Sequence, residues 1–283
     1  MLGTIIGDMV GSIYEFNNFK SKNIELFDPE MRMTDDSYLT IAVSKILIKK
    51  YPFDYSELGI KALQDDLVKE FVTTWKKHIN AGWGSMFYDY CLNASKGVIK
   101  AYNSFGNGSA MRISSVPYFC KDIEEVKKLT KIVTEITHNH PEGIKGAEAI
   151  AVAIFMALHG ATKEEIKNRM LEYYPRINEL KYDDLLDNYT FNATCQGSVP
   201  EAIFCFLISD SFEDTIRTCI SIGGDTDTIG AMAGSIAEAY YQKNNLSVFE
   251  SKFLYLLIDK KTEDYLKTFY EFVGSDKFKS VKL

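Results

Sequence analysis

The stretch SIGGDTDTIGAMAGSIAEAYY, residues 221–241, combines a double glycine, two aspartates separated by one residue and a strongly apolar run. From Ile229 onward, its apolar residues recur at the three- and four-residue spacing of a helix. Glycines at that spacing remove side chains from one helix face, so we expect a neighbouring helix to pack closely against it. They occur in this stretch and again near the start of the chain, at Gly230 and Gly234 and at Gly3, Gly7 and Gly11.

The dominant pattern elsewhere in the chain is also helical. Apolar positions after Asp36 predict one helix, and the almost wholly apolar stretch 142–160 predicts a central one. Patterns of alternating residues, which are typical of strands, are nearly absent. We therefore predict an all-α fold in which residues 1–283 form a single compact multi-helix domain. Further amphipathic helices are predicted near 56–79, 122–137, 162–174, 198–209, 248–260 and 262–273, the last two forming the C-terminal part, 248–273.

The composition is that of a soluble globular protein, with 46% hydrophobic and 25% charged residues and a net charge of -7. This charge argues against a nucleic-acid platform, which needs a basic stripe. The five cysteines are widely spaced and form no C-x-x-C pair, which favours reduced thiols over disulfides or a zinc site. The N-terminus lacks the basic lead-in of a signal peptide, and no run is long enough to span a membrane. We therefore expect a cytoplasmic protein without a membrane partner.

Two short motifs place neighbouring carboxylates at predicted helix starts: TDDS at 34–37 and DTDT at 225–228. Each motif alone is typical of ordinary helix capping, in which a side-chain oxygen accepts a hydrogen bond from a free backbone N–H. A cap needs one such oxygen, whereas each motif supplies two carboxylates and a hydroxyl. Adjacent like charges need a counter-charge, and hard divalent cations prefer oxygen ligands. We hypothesise that the two motifs converge on divalent cations.

Three further polar segments are candidates for a site. Asp8 and Glu15 are seven residues apart in GDMVGSIYE and would share one helix face, for which a solvated surface is the simpler interpretation. In SFGNGSAMR, a glycine-rich loop before a helix that begins at Ser109 would suit phosphate, although such loops are also common turns. In THNHPEG, His138 is interpreted as a substrate contact and not as a metal ligand, because a hard cation favours oxygen.

Taken in order, GDMVGSIYE, TDDS, SFGNGSAMR, THNHPEG and GGDTDTIGAMAG resemble the motifs of the ADP-ribosylglycohydrolase family, over about residues 3–240. The resemblance implies the all-α fold of that family and a site for two divalent cations, Mg²⁺ in preference to Mn²⁺. It implies an enzyme that cleaves the glycosidic bond between ADP-ribose and an acceptor and releases ADP-ribose. The implied metal ligands are Thr34, Asp35, Asp36, Asp225, Asp227 and Thr228.

The resemblance also implies roles for other residues. Glu15 is implied to be tied to catalysis. Asp35 is a second catalytic candidate that could take a proton from the attacking water, and which carboxylate plays which part stays open. Ser37 stands where the family often has a threonine, and little consequence is expected because the hydroxyl is kept. The implied substrate-binding residues are Asn103, Ser104, Phe105, Gly106, Asn107, Gly108 and His138.

The rim that selects the acceptor is expected in three loops, 16–33, 78–90 and 175–197. Within the second loop, three aromatic residues either wall the site or belong to the ordinary core, and the core is the simpler expectation. They are Trp83, Phe87 and Tyr88.

The implied substrate is an ADP-ribosylated protein or small molecule. The enzyme is expected to be a monomer. The acceptor stays open among arginine, serine, a nucleobase and a small molecule, so an ADP-ribosylated nucleic acid is not excluded. Two other functions also stay open: a two-metal phosphohydrolase of a nucleotide diphosphate, and a non-catalytic protein that binds ADP-ribose. The phosphohydrolase would release AMP, and the intact set of candidate ligands argues against the non-catalytic alternative.

Overall fold

The structure, a computed structural model, describes residues 1–242 and 244–278 and confirms the predicted all-α fold. These residues form α-helices, three short 3-10 helices and no β-strand. None of their helices has the length and apolar character that a membrane crossing requires. The predicted domain span 1–283 includes residues outside the described part, 243 and 279–283, and stays a prediction. The α-helices are α1 (Leu2–Gly11), α2 (Asp35–Lys50), α3 (Glu57–Lys77), α4 (Ser85–Ala94), α5 (Ile123–Thr134), α6 (Pro141–Leu158), α7 (Lys163–Tyr173), α8 (Tyr182–Asn188), α9 (Cys195–Ile208), α10 (Phe212–Ile222), α11 (Thr226–Tyr241), α12 (Val248–Leu257) and α13 (Lys260–Phe272).

Helices α1 and α11 pack against each other through their glycine faces. A Cβ added at Gly3 would lie 2.2 Å from the carbonyl oxygen of Gly234, and one at Gly7 would lie 2.0 Å from that of Gly230. Real Cβ atoms essentially never approach another atom within 3.0 Å, so no larger residue fits at either position. The predicted close packing is confirmed. It sets the register that brings the C-terminal end of α1 beside the start of α11.

Helix α6 is the central helix that the apolar stretch 142–160 predicted. It packs against α5, α9 and α11, and residues 149–154 are completely buried. A helix that is apolar all round can be satisfied only in such a position, with neighbours on every side. The prediction is confirmed, and the pair α6 and α11 forms the middle of the bundle.

Three helices lie outside the segments predicted from the sequence: α4, α8 and α10. Helices α4 and α8 have ten and seven residues, too short for a helical period to stand out. Helix α10 carries a readable start, because Ser211 accepts a hydrogen bond from the backbone N–H of Asp214 at 3.0 Å and acidic residues fill its first turn.

Helix α9 begins at Cys195, earlier than the predicted position 198, so Pro200 lies inside the helix and not near its start. A proline has no N–H to donate to the carbonyl four residues earlier, which here belongs to Gln196. Arg176 donates from Nη2 to that oxygen at 2.8 Å and also to the buried carboxylate of Glu201 at 2.5 Å. The arginine thus replaces the missing backbone donor.

Candidate metal and ligand site

The N-terminal ends of α2 and α11 face each other, and the motifs TDDS and DTDT meet there. Thr228 donates from Oγ1 to Asp36 Oδ2 at 3.3 Å, across the gap between the two helices. Asp8 of α1 lies beside them and accepts a hydrogen bond from Thr34 Oγ1 at 2.6 Å. All four side chains are buried. The two motifs therefore meet in space, as hypothesised.

The carboxylates at this point form two groups that could each hold a metal ion. Within each group, one oxygen from every member lies within 4.8 Å of the others. The first group is Asp8, Asp36 and Asp227, and the second is Glu15, Asp225 and Asp227. Because Asp227 belongs to both, two cations bound here would share a ligand.

Helix capping does not account for these carboxylates. Thr34 and Asp225 occupy the N-cap positions of α2 and α11, yet neither side chain makes a capping hydrogen bond. Ordinary caps are present at other helices, for example Ser56 for α3 and Asp122 for α5. The N-cap oxygens of the two motifs instead bond to side chains around the space between the helices.

The electrostatics of the cluster show a deficit of positive charge. Burial, together with repulsion from Asp227, raises the pKa of Asp8 to about 7 and that of Glu15 to about 8. The same two causes raise the pKa of Asp36, and its Oδ1 is buried without a hydrogen-bond partner. A buried, oxygen-rich cluster with an unpartnered oxygen fits a hard divalent cation.

Asp8 is a site residue that the sequence analysis missed, since a solvated helix face was the simpler interpretation there. That expectation is wrong, because Asp8 is fully buried. Its Oδ2 accepts hydrogen bonds from the backbone N–H groups of Thr34 and Ser37, at 2.9 and 3.1 Å, and from the Ser37 hydroxyl. Asp8 therefore fixes the turn that leads into α2. Ser37 keeps the hydroxyl that this contact needs.

Glu15 does not share a helix face with Asp8, because α1 ends at Gly11 and Glu15 lies in the turn that follows. This end of α1 packs closely against the start of α11, since a Cβ at Gly11 would lie 2.4 Å from the Cα of Asp227. The loop after Glu15 is tied to the start of α11, since Asn18 Oδ1 accepts a hydrogen bond from the N–H of Gly224 at 2.7 Å. The turn carries Glu15 into the second carboxylate group.

A cavity of about 400 Å³ opens directly above the carboxylates. Each of the three loops expected at the rim contributes lining residues, among them Phe16, Gly82 and Phe191. Asp35 also lines the cavity; it belongs to neither carboxylate group, and a Cβ at Gly82 would lie 3.5 Å from its Oδ1. The predicted ligand-binding residues that line the cavity are Ser104, Gly106, Asn107, Gly108 and His138.

Asn103 and Phe105 are not among the lining residues, and their predicted contact with substrate stays a prediction. Phe105 is 45% exposed, and its ring centroid lies 5.3 Å from that of His140. Asn103 adopts a positive φ of 52°, and its N–H donates to Asn139 at 2.7 Å. Both residues are adjacent in sequence to residues that line the cavity, but neither is itself part of the lining.

The glycine-rich loop differs from the prediction. Ser109 does not begin a helix; it ends a three-residue 3-10 helix, Asn107–Ser109. Two of the loop amides are engaged within the protein, since Gly106 N donates to Ser104 Oγ and Asn107 N to Ala193 O. The loop is joined to the carboxylates through the Asn107 side chain, whose Nδ2 donates to Asp225 Oδ2 at 2.7 Å.

His138 is buried and lines the cavity. Burial and the nearby charge of Arg112 hold its pKa well below the usual range, so the imidazole is neutral. A Cβ at Gly108 would lie 3.2 Å from Nε2, so the glycine leaves this nitrogen uncovered. Arg112, the last residue of SFGNGSAMR, lines the same cavity and was also missed as a site residue.

Of the three aromatic residues weighed for the wall, Phe87 alone lines the cavity, and it is buried. Trp83 packs against its ring at 5.5 Å and donates from Nε1 to His78 O. Tyr88 is partly exposed and contacts Trp75. Trp83 is half-buried against the core and Phe87 belongs to both the core and the wall, whereas the core expectation is wrong for the exposed Tyr88.

Comparison with known proteins gives one consistent family. A sequence model of the ADP-ribosylglycohydrolase family matches residues 1–248. ADP-ribosylhydrolase ARH3 of Mus musculus is 27% identical, with 85% of this chain and 82% of that protein covered. ADP-ribosylarginine hydrolase Tri1 of Pseudomonas putida (strain GB-1) is 23% identical, with 85% and 69% covered. A solved structure described as an ADP-ribosylglycohydrolase-related protein complex has a TM-score of 0.69 and 20% identity and covers 97% of this chain and 95% of its own, which shows the fold alone.

The fold and the site define an all-α protein with a carboxylate-rich cavity at the meeting point of two helix starts. The chain belongs to the ADP-ribosylglycohydrolase family, because the family model matches most of its length. The names of the family and of the relatives indicate ADP-ribosyl hydrolase activity in those proteins.

Proposed function

We propose that this protein is a hydrolase that depends on divalent cations and cleaves the glycosidic bond between ADP-ribose and an acceptor, releasing free ADP-ribose. The observation that carries the proposal is the pair of carboxylate groups that share Asp227 at the base of a cavity. Family membership supplies the substrate class. We further propose that residues 1–283 act as one domain and that the acceptor is a modified protein side chain or a small molecule.

Two divalent cations, Mg²⁺ in preference to Mn²⁺, would be held by oxygens of the two carboxylate groups. When bound, such ions supply electrostatic stabilisation and a more acidic water. The proposed ligands of the sequence motifs would act with Asp8, which holds the turn in front of α2. They are Thr34, Asp35, Asp36, Asp225, Asp227 and Thr228.

The protein groups at the site can perform the proton transfers of glycoside hydrolysis. Burial and repulsion from Asp227 raise the pKa of Glu15 to about 8. A cation bound nearby would offset that repulsion and favour the ionised form of Glu15. A carboxylate in that position can take a proton from water or return one to the leaving group. Asp35, which faces the cavity beside Gly82, is the second candidate for this role.

Binding of ADP-ribose is assigned to the other end of the cavity. Ser104, Gly108 and His138 lie where the glycine-rich loop forms the wall. Asn107 joins that loop to Asp225, so a ligand bound at the loop and ions bound by the carboxylates would have a fixed relative position. Asn103, Phe105 and Gly106 complete the proposed set.

The test is to incubate the protein and Mg²⁺ with peptides ADP-ribosylated on serine or arginine and with an ADP-ribosylated nucleotide, and to measure products by chromatography. We expect free ADP-ribose from at least one substrate, and none when EDTA replaces Mg²⁺. Release of AMP would favour the phosphohydrolase alternative. Binding of ADP-ribose without turnover of any substrate would favour the non-catalytic one.

A further inference from the structure

Arg112 is a buried cation that forms no ion pair among the described residues. Its side chain is 1% exposed, and only Nη2 has a hydrogen-bond partner, Thr137 Oγ1 at 2.6 Å. Nε and Nη1 are buried without one. The guanidinium carbon lies 4.8 Å from the ring centroid of Phe71 and 5.7 Å from that of Phe87.

Stability alone does not explain this residue. Removing a guanidinium from water without a carboxylate partner is strongly unfavourable, and contacts with two aromatic faces offset only part of that cost. An apolar side chain of similar length would fill the same volume without that cost. Because Arg112 lines the cavity, the reason for its charge is to be sought there.

Arg112 is connected to His138 by one hydroxyl group. Thr137 Oγ1 accepts the hydrogen bond from Arg112 and lies 2.8 Å from His138 Nδ1. Two other acceptors lie near the Thr137 hydroxyl, the carbonyl oxygen of Thr134 at 3.4 Å and the hydroxyl of Tyr102. Nδ1 lies closer to the Thr137 hydroxyl than that carbonyl oxygen and is able to accept its proton. A neutral imidazole that accepts at Nδ1 carries its own proton at Nε2.

The Nε2 atom of His138 faces the glycine-rich loop. A Cβ at Gly106 or Gly108 would lie 3.7 or 3.2 Å from Nε2, so neither residue covers the nitrogen with a side chain. The ring is held from its edge by Tyr102, with centroids 5.4 Å apart. In the tautomer that carries its proton at Nε2, this group is a neutral donor on the cavity wall.

We propose that Arg112 is a positioning residue that acts through Thr137 to fix the Nε2–H tautomer of His138 as a hydrogen-bond donor to a ligand oxygen. The identity of that ligand, the diphosphate or ribose oxygens of ADP-ribose, rests on the proposed function. Arg112 itself does not touch the ligand in this scheme. Its role is to occupy one lone pair of the Thr137 hydroxyl and to place a positive charge on that side of the imidazole, which disfavours an Nδ1–H group and favours Nε2–H.

The experiment compares Thr137→Val with Thr137→Ser, since the first removes the hydroxyl at nearly constant shape and the second keeps it. Affinity for ADP-ribose is measured by calorimetry, and the protonation of both His138 nitrogens in ligand-free protein by ¹⁵N NMR, with the signal assigned through His138→Gln. We expect Nε2–H in the wild type and in Thr137→Ser. In Thr137→Val we expect loss of this preference and a Kd raised about tenfold, the effect of one hydrogen bond.

Arg112→Met should give the same two changes, and Arg169→Met, which removes an arginine outside the cavity lining, should give neither. Equal binding by the valine and serine variants, or a proton at Nδ1 in the wild type, would overturn the inference. A wild type that does not bind ADP-ribose contradicts the proposed function alone, because the NMR measurement needs no ligand. If Arg112→Met does not fold, the Thr137 pair still decides.

Discussion

Replacing Asp227 with asparagine should have opposite effects on stability without and with a divalent cation. Asp227 belongs to both carboxylate groups, whose ligand oxygens lie within 4.8 Å of one another. At that distance and an effective dielectric constant of about 20, two ionised carboxylates repel each other by about 3.5 kcal/mol. Protonation of Asp8 and Glu15, with pKa values of about 7 and 8, relieves part of this repulsion near neutral pH. We therefore expect the metal-free variant to be about 2 kcal/mol more stable than the metal-free wild type.

The cation should reverse this order. A ligand present at 100 times its Kd stabilises the folded state by about 2.7 kcal/mol. Unfolding of 283 residues carries an entropy of about 0.6 kcal/mol/K, so the wild-type Tm should rise by about 4–5 °C with saturating Mg²⁺. Asp227→Asn should show less than about 1 °C of change under the same conditions, because both groups lose their shared ligand.

The assay is thermal unfolding followed by fluorescence, in EDTA and across a titration of MgCl₂ and MnCl₂. Asp89→Asn is the matched control, since Asp89 is exposed and lies outside the cavity lining. It should follow the wild type in both conditions. An equal Mg²⁺-dependent rise in Asp227→Asn and wild type, or a metal-free variant that is markedly less stable, would refute the reasoning from charge.

Three further outcomes follow from the contacts described above. Glu15→Gln should lower kcat by about 100-fold or more while the Kd for ADP-ribose changes by less than about threefold, checked by steady-state kinetics and calorimetry. Gly7→Ala should lower the free energy of unfolding by about 1–3 kcal/mol in urea, because its Cβ would lie 2.0 Å from Gly230 O, whereas Gly84→Ala, with open space around it, should change it by less than about 0.5 kcal/mol. Glu238→Gln should lower the free energy of unfolding by about 3 kcal/mol at pH 7. Burial alone would raise the pKa of Glu238, but the charges of the Met1 amine and Lys277 hold it at about 2. The loss should therefore shrink as pH falls from 4.5 toward 2, and a loss independent of pH would exclude this cause.

Local pattern was sufficient to predict most helices and both carboxylate motifs. Periodicity located the central helix α6, and the four-residue glycine spacing predicted a close helix contact that is present between α1 and α11. The identity of the partner helix was not readable, because glycine spacing says how close a neighbour comes and not which neighbour it is. Register followed from that pairing, and with it the position of Asp8 beside Asp227.

The incorrect expectations share a cause in long-range packing. Helix α1 ends at Gly11 and Glu15 lies in the turn beyond it, beside the start of α11, so spacing along α1 could not place Glu15. In the same way, the burial of Asp8 depends on Thr34 and Ser37 of the following segment. Each residue belongs to a recognisable sequence motif, but only contacts between motifs reveal what it does.

Helix starts in the described part of the chain use their N-cap oxygens in different ways. At Ser56, Asp122 and Thr162, the N-cap oxygen accepts from the backbone N–H three residues later, which stabilises the helix by about 1 kcal/mol. At Thr34 and Asp225, the N-cap side chain makes no such bond although it carries suitable oxygens. The corresponding amides, of Ser37 and Thr228, donate to Asp8 and Asp227 instead. Buried like charges accumulate at both places.

The buried like charges at this pair of helix starts require compensation. A single buried carboxylate is commonly neutralised by a proton. That does not explain why Asp36 keeps an oxygen without a partner while facing Asp225 and Asp227 across the gap. A multivalent cation removes the repulsion and occupies the unpartnered oxygen at once. Aspartates that are buried together with an unpartnered oxygen are therefore a stronger indicator of a metal site than the acidic motif by itself.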